Sequence, residues 1–356
     1  MWPDRRICEL LNIEHPIIQA PMAGSATPEL AIAVSNMGAL GSIGCGEMTL
    51  QEVQTVANTL RAGTNRSFNL NFFIETPSKT DADVLERTRE RLRPWYQKFG
   101  LGEPPGKLPE IAPTFDDACV SMLLEIKPPV VSFHFGVPKS DVILALKNAG
   151  ILLISSATTV AEARLVAASG MDAVIAQGWE AGGHRGSHQP SDPQQGVGTI
   201  ALVPQIADAV SIPVIAAGGI GDGRGIAAAF ALGGSGVQIG TGFLSCSEAG
   251  TDEPRRKLLR NAQDIDTIVT DAISGRSART RRSTFVDEME KSREKVPAFR
   301  QMYGLSEPLM NVATDQEASF HLYGQAAALS REMDAAGLVQ CLLDETAEIF
   351  ASMAKV

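Results

Sequence analysis

Short apolar runs alternate with amphipathic stretches through the first two-thirds of the chain. Eight runs read as strands: 17–20, 40–43, 68–73, 130–135, 152–155, 173–177, 214–217 and 236–239. They are nearly continuous in apolar residues, the pattern of strands buried on both faces. Between most of them apolar positions recur at helical spacing, over 28–36, 50–62, 140–149, 160–168, 200–209 and 224–231. Parallel strands followed by covering helices, with eight strands in all, predict an α/β fold, a closed (β/α)8 TIM barrel.

Two segments break the alternation. Residues 75–129 are too long for a simple crossover and predict an insertion after the third strand. It holds a charged helix over 81–93, the loop Gly102-Glu-Pro-Pro-Gly-Lys-Leu-Pro109 and a helix over 116–125. Beyond Leu244 the pattern turns charged and helical. The expected organisation is a barrel over 1–244 and a helical C-terminal addition over 245–356 that caps the barrel mouth.

The strand-to-helix junctions carry the chemistry, on the face where barrel enzymes keep their sites. The richest is Gln177-Gly-Trp-Glu-Ala-Gly-Gly-His-Arg-Gly186. Its glycines let backbone approach a ligand, and His184 among them can move a proton near neutral pH. His134, at the end of the fourth strand, is expected to face the same mouth as a substrate-pocket residue. The last two strands end in Ala216-Ala-Gly-Gly219 and Gln238-Ile-Gly-Thr241. Loops in these places form the recurrent phosphate site of such barrels, through exposed amides and a helix N-terminus. No GxGxxG fingerprint opens the chain and no Walker sequence occurs, so neither a dinucleotide-binding βαβ fold nor a P-loop is implied. Flavin mononucleotide (FMN) fits better, its phosphate at those loops and its ring across the mouth. The amides of Gln19, Asn71 and Gln177 stand at strand ends where they could meet the ring edge.

Composition narrows the rest. The 356 residues are 44% apolar and 20% charged, enough for a large core. A net charge of −10 argues against nucleic acid as a partner. The five cysteines are scattered without a C-x-x-C pair, which fits a reducing, cytoplasmic setting and no structural zinc. Cys45 lacks an activating neighbour and reads as a packed small residue. No metal site, signal peptide or membrane span is expected. Arg276, Arg279, Arg281 and Arg282 read as a solvated basic face, with steering of an anionic substrate as the second option. Oligomeric state stays open.

The motifs Gln19-Ala-Pro-Met-Ala-Gly24, Gly38-Ala-Leu-Gly-Ser42, Asn69-Leu-Asn-Phe-Phe73, Ser132-Phe-His-Phe-Gly136, the 177–186 segment and Ala216-Ala-Gly-Gly-Ile220 together resemble the nitronate monooxygenase family in its class I form. The resemblance runs in order from Gln19 to Thr241. It implies an FMN barrel that oxidises anionic alkyl nitronates, propionate 3-nitronate among them, with O2 by one-electron transfer to the flavin. It makes His184 the catalytic base or substrate-orienting group. Asn71, Gln177, Gly182, Gly183, Gly218, Gly219, Gln238, Ile239, Gly240 and Thr241 become cofactor contacts, with Met22 and Gly24 near the flavin. Gly275-Arg276 and Gly324-Gln325 are similar to family positions in the tail, the latter pair on the cofactor side. Two rival readings remain: an FMN-dependent enoyl-acyl-carrier-protein reductase, which needs a reduced nicotinamide, and a non-catalytic barrel that binds a phosphate ligand.

Overall fold

The doubly buried runs become the staves of a barrel. The computed structural model describes residues 2–75, 80–108, 115–190, 192–292, 294–314 and 316–354. In chain order the strands are β1 (Ile17–Gln19), β2 (Gly41–Gly44), β3 (Phe68–Phe73), β4 (Val130–His134), β5 (Leu152–Ala157), β6 (Ala173–Gln177), β7 (Gly183–His184), β8 (Val214–Ala217), β9 (Gly236–Ile239), β10 (Thr267–Thr270) and β11 (Ala278–Arg281). Eight of them lie in one parallel sheet in the order β1-β9-β8-β6-β5-β4-β3-β2. The ring closes where Leu40 bridges Ile18: Leu40 donates its N–H to the Ile17 carbonyl and accepts from Gln19, both at 2.9 Å. The fourth strand stops one residue before the expected end because Phe135 takes φ +74°, outside the extended region.

The two faces of each strand serve different cores. Outward residues such as Leu70, Phe72, Val131, Leu153 and Val174 pack against the helix ring. Inward residues Ile18, Val130, Ile154, Ile175 and Ile215 fill the barrel's lower interior, and Ile7 and Leu11 of the helix Arg6–Leu11 pack against them. That short helix seals the amino end, so only the carboxyl end offers a mouth.

Over that mouth stands a second core. Leu92, Trp95 and Tyr96 of the insertion helix Ala82–Lys98 share it with Ile273, Phe285, Met302, Leu305 and Leu309 from the C-terminal third. Tyr96 Oη donates to the Leu305 carbonyl at 2.8 Å. The loop expected over 102–109 ends outside the described residues, as do 76–79 and 110–114.

The C-terminal third differs from the all-helical expectation. β10 and β11 pair antiparallel, and β11 pairs antiparallel with β7, setting Ala278 opposite His184 and Arg279 opposite Gly183. The cap is thus tied by a sheet to the loop that follows β6. The final helix, Ala335–Met353, packs on the helices Gly223–Ala231 and Pro28–Asn36, with Leu338, Val339 and Leu342 in the main core. It occupies the place in the ring between the helices that follow β8 and β1. Among the described residues no helix is long and apolar enough to cross a membrane.

Candidate active site

The loop 178–186 folds back across the mouth, and nearly every polar group around it is used to hold it there. Gly183 takes φ +79°, a conformation open to glycine at no steric cost. Gly182 is pressed against the cap: a Cβ there would stand 2.5 Å from the Gly324 nitrogen. The amide of Gln177 accepts from the Gly186 N–H at 2.7 Å and donates to the His184 carbonyl at 3.0 Å. The Glu180 carboxylate caps the helix Thr199–Ala209 by accepting the Thr199 N–H, at 2.8 Å to its nearer oxygen, where the helix dipole favours an anion.

Three arginines complete the clamp. Arg185 donates to the carbonyls of Gly178 and Gln177. Arg279 donates to the Trp179 carbonyl at 2.7 Å, and Arg276 to that of Ser187. Arg276 and Arg279 are buried, 8% and 3% exposed, so the expected solvated basic face is corrected at both positions. A glycine-rich loop leaves carbonyls without ladder partners, and buried carbonyls need donors. Guanidinium groups supply several from one side chain.

His134 buttresses the same loop. Its Nε2 lies 3.1 Å from the His184 carbonyl and its Nδ1 2.8 Å from Ser156 Oγ. A carbonyl can only accept, so Nε2 carries the proton and Nδ1 accepts from the serine. Both ring nitrogens are engaged. Burial pushes its pKa down to about 4, helped by the positive charges of Arg276 and Arg185.

His184 is held at one nitrogen. Nε2 lies 3.0 Å from Ser274 Oγ, and that hydroxyl donates to the Arg276 carbonyl at 3.0 Å. With its proton engaged, the serine accepts from His184, which places the imidazole proton on Nε2. The lone pair of Nδ1 is then free, and it meets no hydrogen-bond partner among the described residues. Phe299, Phe320 and Phe135 ring the imidazole edge-on, at centroid distances of 5.1, 5.8 and 5.9 Å. This shell lowers the pKa of His184 to about 3, first by desolvation, then by electrostatic coupling to the neighbouring His134 and by the charges of Arg276 and Arg300. The group keeps some surface open to the cavity, yet its walls are protein, so the shift toward the neutral form follows.

A cavity of about 430 Å³ opens in front of it, between the strand ends and the cap. His134, His184, Met22, Gly24, Asn71, Gln177, Gly182, Gly183, Gly218, Gly219, Gln238, Ile239, Gly240, Thr241 and Gly324 all line it. Gln19 and Gln325 do not. Gln19 is fully buried; its Oε1 accepts the Ser42 N–H at 2.9 Å and its Nε2 donates to the Ala20 carbonyl, so its amide serves the seam between β1 and β2. Gln325 donates its backbone N–H to the Glu180 carbonyl at 3.0 Å. Asn71 donates to Ser132 Oγ at 2.9 Å, which turns its oxygen toward the cavity. Thr241 Oγ1 accepts from the Gly324 N–H at 2.9 Å, tying the last barrel loop to the cap.

The lining fits a phosphorylated, partly polar ligand. Among the described residues Gln238 Oε1 and Thr251 Oγ1 are buried without partners, and both residues line the cavity. The amides of Gly219, Ile220 and Gly240 donate no hydrogen bond among the described residues. Buried polar groups are rarely left unpaired in the working state of a protein, so these atoms are available to a polar ligand. No cluster of three or more potential metal ligands occurs among the described residues. Cys45 is buried and its thiol is pushed up to about 12 by desolvation, an inert packed group.

Several lining residues carried no signal in the sequence. Ser274, Phe299, Tyr303, Phe320 and Arg255 reach the site from the cap. They lie in segments whose pattern announces only amphipathic helix or loop.

The profile of the family described as "NMO: Nitronate monooxygenase" matches residues 4–345. A protein of Paraburkholderia phytofirmans named nitronate monooxygenase is 45% identical over 341 residues, which cover 94% of this chain and 93% of the relative. A nitroalkane oxidase from Streptomyces ansochromogenes superimposes with TM-score 0.90 at 37% identity, over 98% of this chain and 99% of that one. FabK from Thermotoga maritima superimposes with TM-score 0.76 at 32% identity, covering 98% of each chain.

Proposed function

The chain belongs to the nitronate monooxygenase family, and from that premise we propose that it oxidises alkyl nitronates, propionate 3-nitronate among them, with O2 and a bound FMN. The observation that carries the reading is the free Nδ1 of a neutral, apolar-walled His184 at the edge of a cavity with unpartnered polar atoms. The glycine loops after β8 and β9, with Gln238 and Thr251, would hold the phosphate and polar chain of FMN. Asn71 would accept from the ring edge. FMN, when bound, takes electrons from the nitronate carbon and passes them to O2.

The protein's own groups do the rest. Toward a neutral nitroalkane, His184 Nδ1 takes the α-proton, and the electron pair of the broken C–H bond moves onto the nitro group to give the nitronate. This needs the unprotonated imidazole, which the depressed pKa supplies at neutral pH. The positive potential of Arg276 and Arg300, which disfavours a charged imidazole, favours an anionic nitronate beside it. His134 and Gln177 fix the His184 backbone, and Ser274 fixes its tautomer. The aromatic ring around it keeps water from the reacting carbon.

The test is an absorbance spectrum of the purified protein, then anaerobic mixing with propionate 3-nitronate. A flavin band that bleaches on mixing, and O2 uptake without nicotinamide in air, support the reading. A colourless protein that takes up no FMN overturns it. The likeness to FabK makes one control worthwhile: NADH consumption with a crotonyl thioester in place of nitronate turnover would favour the reductase.

A further inference from the structure

Three arginines of the helix Glu253–Arg260 have different fates. Arg256 uses its guanidinium on the carbonyls of Ser245, Cys246, Ala249 and Thr251, and Arg260 pairs with Glu253 and Glu332. Arg255 lines the main cavity. Its guanidinium donates no hydrogen bond among the described residues, and its Nε is buried without a partner. The geometry points to Arg255 as a specificity-determining residue that binds a carboxylate at the far end of the substrate, so that nitronates with a second anionic group are favoured over simple alkyl ones. The inference rests on the reading of the main cavity as a site for nitronates.

Position supports it first. Ser274, which holds His184 at Nε2, lines only a smaller chamber of about 280 Å³ on that side of the imidazole, whereas Arg255 lines only the main cavity. Two rings of the main cavity's lining stand between His184 and Arg255. Phe320 lies 5.8 Å from His184, and Tyr303 lies 6.0 Å from Phe320. Tyr303 is in turn within electrostatic reach of Arg255: its hydroxyl is pushed up to about 12 by desolvation and by the carboxylates of Glu307 and Glu47, while Arg255 pulls the other way. A molecule lying along this row has the imidazole at one end and the guanidinium at the other.

Charge supports it next. Among the described residues one carboxylate, that of Asp252, comes within ion-pair distance of Arg255. It stands 3.8 Å from Nε, its side chain is 58% exposed, and its other oxygen caps the helix by accepting the Arg255 N–H at 2.9 Å. At that distance and exposure the pair is weak. Glu47 lines the same cavity but is exposed to solvent, where its charge is screened. The buried Nε thus has no acceptor of the protein's own. A carboxylate can take two parallel N–H bonds from the planar guanidinium.

The experiment compares a dianion with a monoanion on the FMN-loaded protein. Succinate copies propionate 3-nitronate with a carboxylate in place of the nitronate, and butanoate is the same chain without the second charge. Calorimetry is expected to show succinate binding about tenfold more tightly than butanoate in the wild type, one charge-assisted hydrogen bond being worth that much. Rising salt should erode the difference. Arg255→Gln is expected to abolish it and Arg255→Lys, which keeps the charge without the fork, to retain part. In turnover, the ratio of kcat/KM for propionate 3-nitronate over that for propyl-1-nitronate should fall about tenfold in Arg255→Gln. Equal binding of succinate and butanoate by the wild type overturns the assignment. So does an Arg255→Gln protein that keeps the preference for succinate but releases FMN more readily, which would put the guanidinium on the cofactor's phosphate. O2 uptake with none of the nitronates overturns nitronate oxidation, and the succinate comparison still decides the role of Arg255.

Discussion

His184 Nε2 and Ser274 Oγ meet at 3.0 Å across 90 positions of sequence. The serine's proton goes to the Arg276 carbonyl, so the contact selects one imidazole tautomer and leaves Nδ1 as the base. Ser274 is a positioning residue that acts through His184. Replacing it with alanine removes the hydroxyl's bonds to His184 and to the Arg276 backbone and frees the ring to flip. Ser274→Ala is expected to lower kcat with nitroethane by about five- to tenfold and to leave the rate with preformed ethyl nitronate much less affected. Ser274→Thr, which keeps the hydroxyl, should restore most of the loss. Equal losses on both substrates would mean a purely structural role.

Removing the base itself should cost more. His184→Asn keeps a polar side chain but no group able to take the α-proton. Turnover of neutral nitroethane is expected to fall by about 10²–10⁴-fold, the usual contribution of a positioned base. The preformed nitronate needs no such proton transfer and should lose far less. The check is steady-state O2 uptake with the two forms side by side; comparable rates for wild type and variant on nitroethane would count against the assignment.

The two desolvated histidines also tie stability to pH. His134 and His184 have pKa values near 4 and 3 when folded, against an ordinary value of about 6.5. A depressed histidine binds fewer protons in the folded state than in the unfolded state. Its favourable contribution is therefore complete above about pH 6.5 and is lost as pH falls toward the folded values. Each histidine is expected to add a slope of about 1.4 kcal/mol per pH unit below that point. Urea midpoints between pH 7 and pH 4.5 measure it, and His134→Gln should make the fall shallower. An unchanged slope in that variant would show that other groups dominate.

The parts of this arrangement that were legible in sequence are those set by burial on two faces. The staves 68–73, 173–177, 214–217 and 236–239 were expected with the bounds they take as β3, β6, β8 and β9, because a doubly covered strand leaves an apolar run. The loops around Gly182 and Gly219 were legible because glycine marks backbone that must turn or come close. What escaped depends on long-range partners. β11 reads Ala-Arg-Thr-Arg, a charged run that becomes a strand only by pairing with β10 and the two residues of β7. Arg276 and Arg279 looked solvated because nothing local reveals the unpaired carbonyls they meet. Gln19 carries an amide at a strand end, as Asn71 nearly does, but the ring seam takes it up. Ser274 carries no local mark at all, since its partners are a carbonyl two residues on and an imidazole from the other side of the mouth.

The contact between Gly182 and the cap gives the sharpest steric prediction. A Cβ at position 182 would stand 2.5 Å from the Gly324 nitrogen and 2.7 Å from Tyr323 Cα. Both obstacles are backbone, which cannot rotate out of the way as a flexible side chain can. Gly324 is itself anchored, its N–H donated to Thr241 Oγ1 at 2.9 Å, and Gln325 beside it donates to the Glu180 carbonyl at 3.0 Å. Gly182→Ala must therefore push the 178–186 loop and the cap apart, breaking one or both of these bonds. Overpacking of this kind costs about 1–3 kcal/mol, which lowers Tm by about 1–4 °C at roughly 1.3 °C per kcal/mol for a chain of 356 residues. The opening lies beside the loops after β8 and β9, so the second consequence is local: FMN should dissociate at least about tenfold more readily, one hydrogen bond to a charged phosphate being worth that much. Differential scanning fluorimetry reads the first effect and equilibrium dialysis of flavin the second. If Gly182→Ala lowers Tm as expected but retains FMN as tightly as the wild type, the cap and the barrel loop meet for stability alone and the cofactor is held elsewhere along the rim.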